Sequence, residues 1–330
     1  MNESNALERN SVLSPRTNND LPGFLRTWWI AVRPFSFPAS AVPVAFGTAA
    51  AAATGGAEIN WGHFLLALFG MMMLQGAANI INDIYDFSKG IDREVYPVSG
   101  AVVRHLITPD QAKRGALLLI VCGSLIGLYL SFAAAWQVLI IGMAGIATGI
   151  FYSTAPFGLK YRALGDCSVF LAFGILGSLG AWVVQTGEMS WVPVVWAIPQ
   201  SLLIIAILHA NNWRDIAGDS AGGFTTVASL LGDEGSARYY SFLLFSPFAL
   251  IVALMTGPRF VGLLPPLPHA FVLTFLALPL ALRLTRKASR RHTNDSAEAD
   301  FVALDGATAQ LSLVFGLLTI AALLISRWVN

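Results

Sequence analysis

The sequence predicts an all-α polytopic membrane protein, and three observations predict it. Of its 330 residues, 55% are hydrophobic and only 12% are charged, about half the charged share of an ordinary soluble domain. The apolar residues gather into nine segments, centred near residues 40, 72, 123, 144, 175, 201, 247, 275 and 318. Each approaches the roughly 20 residues that a helix needs to cross a bilayer. The basic residues are also sorted. With the N-terminus on one side of nine spans, eighteen of the twenty Lys and Arg fall on that side, and only Arg259 and Arg327 fall on the other. Basic loops stay cytoplasmic, so the N-terminus and the long loops are expected inside and the C-terminus outside.

Taken in order, residues 1–22 are polar and lack the early apolar core of a signal peptide. They read as a disordered cytoplasmic tail ahead of a single transmembrane domain, residues 23–330. The first apolar segment holds Pro34, Pro38 and Pro43 and is expected to kink near its start. The second, "HFLLALFGMMMLQGAA", runs into 78-ANIINDIYDFSKGID-92, where Asp83, Asp86 and Asp92 arrive at the end of a lipid-compatible helix. A short "SFAAAW" joins the third and fourth segments, and the fourth opens into the polar loop "FYSTAPFGLKYRALGD". The fifth and sixth are joined by "QTGEMSW", and the sixth ends in a second acidic cluster, 210-ANNWRDIAGD-219.

After the eighth segment, Arg283, Arg286, Lys287, Arg290 and Arg291 read as topology determinants beside anionic lipid. Cys122 and Cys167 lie in apolar segments without a C-x-x-C pattern, and read as small buried hydrophobes. A net charge of +1 gives nucleic-acid binding no support.

The two acidic clusters are related. Ala78, Asn79, Asp83 and Ile84 match Ala210, Asn211, Asp215 and Ile216 at a constant offset of 132 residues. That offset equals four helices, so the chain reads as two related four-helix halves plus a ninth helix. Helical spacing puts Asp83 and Asp86 on one face, and Asp215 and Asp219 on another. Four carboxylates brought together in a low dielectric repel one another unless cations neutralise them. Mg²⁺ suits the role, because it takes oxygen from one or two carboxylates, water and substrate phosphates. Asn79, Asn82, Asn211 and Asn212 offer neutral oxygens or donors to phosphate. Lys89, Lys160 and Arg33 are cations within reach of a diphosphate. A single acidic pair at a helix end is an ordinary solvated feature, and the matched Asn partners in each half are what set these apart. His209 has no second candidate ligand beside it.

The segments "NDIYDFSKGID" and "NNWRDIAGD" resemble the paired aspartate motifs of the UbiA superfamily of intramembrane prenyltransferases. Within it, the chain is similar to the branch that prenylates 1,4-dihydroxy-2-naphthoate in menaquinone synthesis, together with its animal relative that makes a vitamin K. The opening "WWIAVRPFSFPASAVPVAFGTA", "FGLKYRALGD" and "GGFTTVASLLG" fit the same branch. The likeness covers roughly residues 26 to 328. It departs from the branch pattern in "REVYPVSGAVVRH", at Phe224 and Thr225 ahead of Thr226, and at Gln310 and Ser312.

The resemblance implies nine helices around a central cavity with a cytoplasmic loop cap, in a bacterial-type inner or plasma membrane. It implies Mg²⁺-dependent transfer of a polyprenyl group from an allylic diphosphate to an aromatic acceptor, with loss of the naphthoate carboxylate. Asp83, Asp86, Asp215 and Asp219 would hold the metal. Asn79, Asn82, Lys89, Lys160, Arg33, Asn211 and Asn212 would bind diphosphate, with Asp92, Arg214 and Tyr152 as accessory residues. The nearest alternative keeps the chemistry with another acceptor: 4-hydroxybenzoate, homogentisate, a tetrapyrrole or a glycerol lipid. A transporter is the alternative of another class. Transporter repeats put their charged site near mid-bilayer, whereas both clusters here lie at cytoplasmic helix ends.

Overall fold

Proline and αL geometry break the first apolar segment where the sequence predicts a kink. In the computed structural model, which describes residues 23–89, 100–154, 156–257 and 265–329, α1 (Phe24–Val32) stops at Arg33, a non-glycine residue with φ 52°. A single 3₁₀ turn, Pro34–Ser36, leads into α2 (Pro38–Thr54), and the two pieces meet at a bend of 55°. Residues 1–22, expected as a disordered tail, lie outside the described residues, as does Asp92.

The remaining elements follow the apolar segments. They are α3 (Trp61–Lys89), α4 (Pro109–Ala133), α5 (Gln137–Ser153), α6 (Gly165–Thr186), α7 (Val192–Arg214), the short α8 (Ile216–Ala221), α9 (Val227–Thr256), α10 (His269–Ser289), the short α11 (Asp295–Val302) and α12 (Leu304–Val329). Seven of these are long and apolar enough to cross a bilayer, and the bent α1–α2 pair makes eight. The chain is thus an all-α, multi-pass membrane protein. The difference from nine lies in α5, which is apolar but only 17 residues long.

Close packing of α2 organises the interior. Its run Ala49–Ala52 is buried, and a Cβ at Gly47 would overlap the Ser178 carbonyl of α6. Small residues let two backbones approach closely, which is how helices gain contact when lipid supplies no hydrophobic drive between them. Helix α12 packs against α2, α7 and α10, and so joins the first helices to the last. The outer surface is apolar: on α4, Leu117, Leu118, Leu125 and Phe132 are all exposed, as lipid-facing residues must be. Cys167 is exposed and Cys122 half-buried, so the expectation that both are buried is corrected. In a lipid solvent an apolar residue need not turn inward. Exposed Trp61, Trp136, Trp191 and Trp328 lie at the helix ends opposite the acidic clusters, where an aromatic belt meets the interface.

Candidate active site

The first acidic cluster sits on the last turns of α3, and its two carboxylates face different partners. Asp83, only 1% exposed, accepts the Val102 backbone N–H at 2.7 Å and the Arg33 guanidinium at 3.4 Å. Gly100 makes this approach possible, because a Cβ there would overlap the Asp83 carboxyl. Asp83 therefore ties the break after α1 to the turn that precedes α4. Asn79 reinforces the same corner, donating to the Val32 carbonyl at 2.9 Å and to Ser36 Oγ at 3.0 Å. Buried Gln75 donates to the Ser36 carbonyl at 2.8 Å and accepts from Ser40 Oγ.

Asp86 faces the loop after α5. It accepts from Lys160 Nζ at 2.7 Å, Asn82 Nδ2 at 2.8 Å and the Tyr161 hydroxyl at 3.3 Å. Lys160 Nζ also donates to Asn82 Oδ1 at 2.6 Å, and Ser153 Oγ donates to the same oxygen at 2.9 Å. Burial first, and the Asp86 charge next, hold the Tyr161 phenol well above its ordinary range; Asp219, in the second cluster, acts in the same sense. The loop after α5 thus lies between the two clusters.

Backbone contacts from the second half of the chain hold this loop. Arg162 and Thr225 form an isolated parallel bridge: Thr225 N–H donates to the Tyr161 carbonyl at 3.2 Å, and Ala163 N–H to the Thr225 carbonyl at 2.6 Å. Ala163 takes φ 56° to do so, a conformation that costs a non-glycine residue about 1–2 kcal/mol. The Phe224 ring lies 4.7 Å from the Tyr161 ring.

The second cluster begins where α7 stops. Arg214 clamps Asp215 with two hydrogen bonds, Nε to Oδ1 at 2.9 Å and Nη2 to Oδ2 at 3.0 Å. Its remaining donors reach Asn211 Oδ1 at 2.7 Å, Asp305 at 3.1 Å and the Val302 carbonyl at 3.1 Å. Asp215 lies outside α7, between it and α8, but the Asp219 N–H still donates to the Asp215 carbonyl at 2.9 Å, so the expected one-turn spacing persists. Asn212 and Asp219 are half-buried beside it. Tyr152, at the end of α5, lies within electrostatic range of Asp166, Asp86 and Asp219.

The structure thus gathers Arg33, Asn79 and Asp83 at one corner, Asn82, Asp86 and Lys160 at a second, and Asn211, Arg214 and Asp215 at a third. The side chain of Lys89 lies outside what is described. Among the described residues, no three His, Cys, Asp or Glu side chains converge closely enough to hold a metal ion alone. The donors on offer are nonetheless all oxygen, one or two carboxylates from each cluster. That set fits Mg²⁺ when water and an anionic substrate supply the other positions.

Sequence reasoning missed several members. Tyr161 and Ser36 lie inside segments that resemble the family, but no spacing marks them singly, and Gln75 and Gly100 carry no periodic signal. Asp166, buried and accepting from the Tyr239 hydroxyl at 3.1 Å, is the one acidic residue of "FGLKYRALGD" and has no acidic neighbour to mark it. Arg291 is a correction: it is no mere topology determinant. It is 7% exposed, donates twice to Asp233 and stacks 5.0 Å above Trp213, whose Nε1 donates to the same carboxylate at 2.8 Å. The hydrogen bonds that Arg291 donates to Asp233 are the main cause that raises the affinity of Arg291 for its proton.

The chain is similar to known proteins over most of its length. The model of the UbiA prenyltransferase family matches residues 40–304. The UbiA prenyltransferase domain-containing protein 1 of Xenopus tropicalis is 33% identical over 294 residues, covering 88% of this chain and 79% of its own. The human protein of the same name is 33% identical over 300 residues, covering 90% and 83%. Among solved structures, a UbiA homolog from Archaeoglobus fulgidus bound to GPP and Mg²⁺ superposes with a TM-score of 0.61 at 16% identity, covering 89% of this chain and 99% of that one.

Proposed function

This chain belongs to the UbiA prenyltransferase family, and from that membership we propose that it transfers a polyprenyl group from an allylic diphosphate to 1,4-dihydroxy-2-naphthoate, with loss of the acceptor's carboxylate. The observation that carries the reading is the interlock of the two halves. The Arg162–Thr225 bridge holds Lys160 and Tyr161 against Asp86, with Asp219 in electrostatic reach. A cation, a phenol and carboxylates from both halves beside one loop suit a polyanionic leaving group shared with Mg²⁺. The archaeal homolog bound to GPP and Mg²⁺ supports the same ligand classes.

Mg²⁺, when bound, would neutralise charge on the departing diphosphate; Asp86, Asp215 and Asp219 are the residues to share it, with Asp83 at the edge of the first cluster. Lys160 and Arg33 are positioned to donate to diphosphate oxygens, and Lys160 would exchange its Asp86 partner for phosphate as charge develops there. Asn82 orients Lys160, and Arg214 orients Asp215. The apolar interior excludes water from the allylic cation, and aromatic faces stabilise it. The acceptor ring attacks the cation, and release of its carboxylate as CO₂ restores aromaticity.

The same proposal includes α5 as a ninth span, two four-helix halves around a cavity, and loops and N-terminus on the cytoplasmic side. The relatives at 33% identity named above are animal proteins, so the membrane proposed is not specifically a bacterial one. Other acceptors form the second reading, because Phe224, Thr225, Gln310 and Ser312 depart from the naphthoate branch.

The test is purified protein with Mg²⁺, a panel of aromatic acceptors and prenyl diphosphates of several lengths, with products weighed. Prenylated, decarboxylated naphthoate is the expected product. Transfer only to another acceptor would replace the substrate assignment. Transfer by Asp86→Ala/Asp215→Ala that is undiminished and indifferent to chelator would remove the metal assignment.

A further inference from the structure

We propose that the basic hollow between the end of α10 and the start of α11 binds the headgroup of an anionic phospholipid, and that this lipid steadies the second acidic cluster. The hollow is open to solvent on one side and has a volume of about 240 Å³, with Arg286, Lys287, Arg290, Ser296 and Asp300 on its walls. Lys287 spans it to Asp300 at 2.8 Å. Arg286 and Arg290, one helical turn apart, have no ion-pair partner among the described residues. Two guanidiniums and the Ser296 hydroxyl make a donor set for a phosphate diester.

The occupant is a lipid because of what lies along the same helix. The exposed residues of α10 include Val272, Leu276 and Leu282, then Arg283 and Arg286, and exposed Arg290 follows directly after the helix. An acyl chain against the first group and a phosphate among the second match one amphiphile at the end of a span. A soluble anion would use only half of that surface.

Both walls of the hollow continue into the second cluster. Arg291, next to Arg290, grips Asp233, and Asp233 holds Trp213 on α7. At the far end of α11, the Val302 carbonyl accepts from Arg214, the residue that clamps Asp215. A headgroup that pins the α10–α11 junction therefore limits the freedom of Arg214. This second part rests on the functional reading above; the binding part does not.

The experiment uses the full chain, released from vesicles of phosphatidylcholine with phosphatidylglycerol and weighed intact by native mass spectrometry. The wild type is expected to retain one phosphatidylglycerol in preference to phosphatidylcholine by about tenfold or more. That preference should be lost in Arg286→Gln/Arg290→Gln and kept in Lys113→Gln/Arg114→Gln, an exposed basic pair elsewhere. No preference in the wild type overturns the site without recourse to any variant. So does equal retention by the Arg286/Arg290 variant, or displacement of the lipid by millimolar inorganic phosphate. Prenyl transfer, compared in vesicles with and without phosphatidylglycerol, reads the coupling. Stimulation in the wild type and none in Arg286→Gln/Arg290→Gln supports it, and equal rates in all four overturn it while leaving the binding result intact.

Discussion

The Lys160 ammonium lies 2.7 Å from the Asp86 carboxylate, although the two residues are 74 positions apart in the chain. One sits at the end of α3 and the other in the loop after α5. Asp86 is 8% exposed and Lys160 21%, so each charge depends on the other for its solvation. Lys160→Met leaves that carboxylate with only Asn82 and Tyr161. A loss of about 3 kcal/mol is expected from an uncompensated buried charge, together with loss of transfer. Melting in detergent and the transfer assay check the two effects separately, and Lys160→Arg should recover the first more than the second.

Gly100 faces the Asp83 carboxyl with no room for a Cβ. Gly100→Ala is expected to cost about 1–3 kcal/mol through overpacking and to loosen the corner that Asp83 shares with Arg33. Asp83→Asn in the same background should restore little, because the clash is steric. Melting of both variants measures this, and a wild-type midpoint for Gly100→Ala would show that the turn yields freely.

Thr225→Pro removes the N–H that bonds to the Tyr161 carbonyl, without touching any carboxylate. Transfer should fall by more than about tenfold as the loop carrying Lys160 loosens, a misplacement effect of the size expected for reacting groups. Thr225→Val keeps the N–H and should stay close to wild type. Equal activity of the two variants would show that the interlock is dispensable.

Tyr161 is held protonated by burial and by the negative charge of Asp86. Its folded pKa is raised, so its contribution to stability is complete below the unfolded value of about 10. The contribution is lost as pH rises above that value, where the unfolded chain gains by ionising. Between pH 10 and 11.5 the wild type should therefore lose more stability than Tyr161→Phe, whereas below pH 9 the Phe variant should show only the missing hydrogen bond to Asp86. Parallel melting curves across that window would refute the assignment.

Arg291→Gln should destabilise by about 1–2 kcal/mol, less than for a fully buried pair, because Asp233 is 43% exposed and partly screened. Indole fluorescence should report the change at Trp213, on which Arg291 stacks. Asp233→Asn added to Arg291→Gln should cost less than the sum of the two single changes.

Much of the site was legible before the fold was known. Asp86, Lys160 and Asp215 stand in polar stretches next to apolar helices, and Arg33 inside an apolar segment, where a charged residue is conspicuous. What spacing could not supply was pairing. Helical spacing puts Asp83 and Asp86 on one face, yet Asp83 turns to Arg33 and Val102 while Asp86 turns to Lys160 and Tyr161. Arg291 read like its four basic neighbours, because only three-dimensional packing distinguishes a buried guanidinium from a solvated one. Cys167 failed in the opposite sense, since apolar context in a membrane does not say which way a side chain faces.

The amino-acid sequence by itself determined the solvent and the class of fold. A chain this apolar, with its apolar residues gathered in segments of helical length, satisfies its backbone as helices in lipid. It also determined that two acid-rich helix ends echo one another across 132 residues. Tertiary structure decided what each end packs against: a backbone interlock and a strained Ala163 hold the loop that reaches Asp86, and a glycine is pressed against the Asp83 carboxyl. Those contacts are long-range and short of pattern. They exist only where packing brings distant loops within the reach of a hydrogen bond, and periodicity, which records only near neighbours, leaves no trace of them.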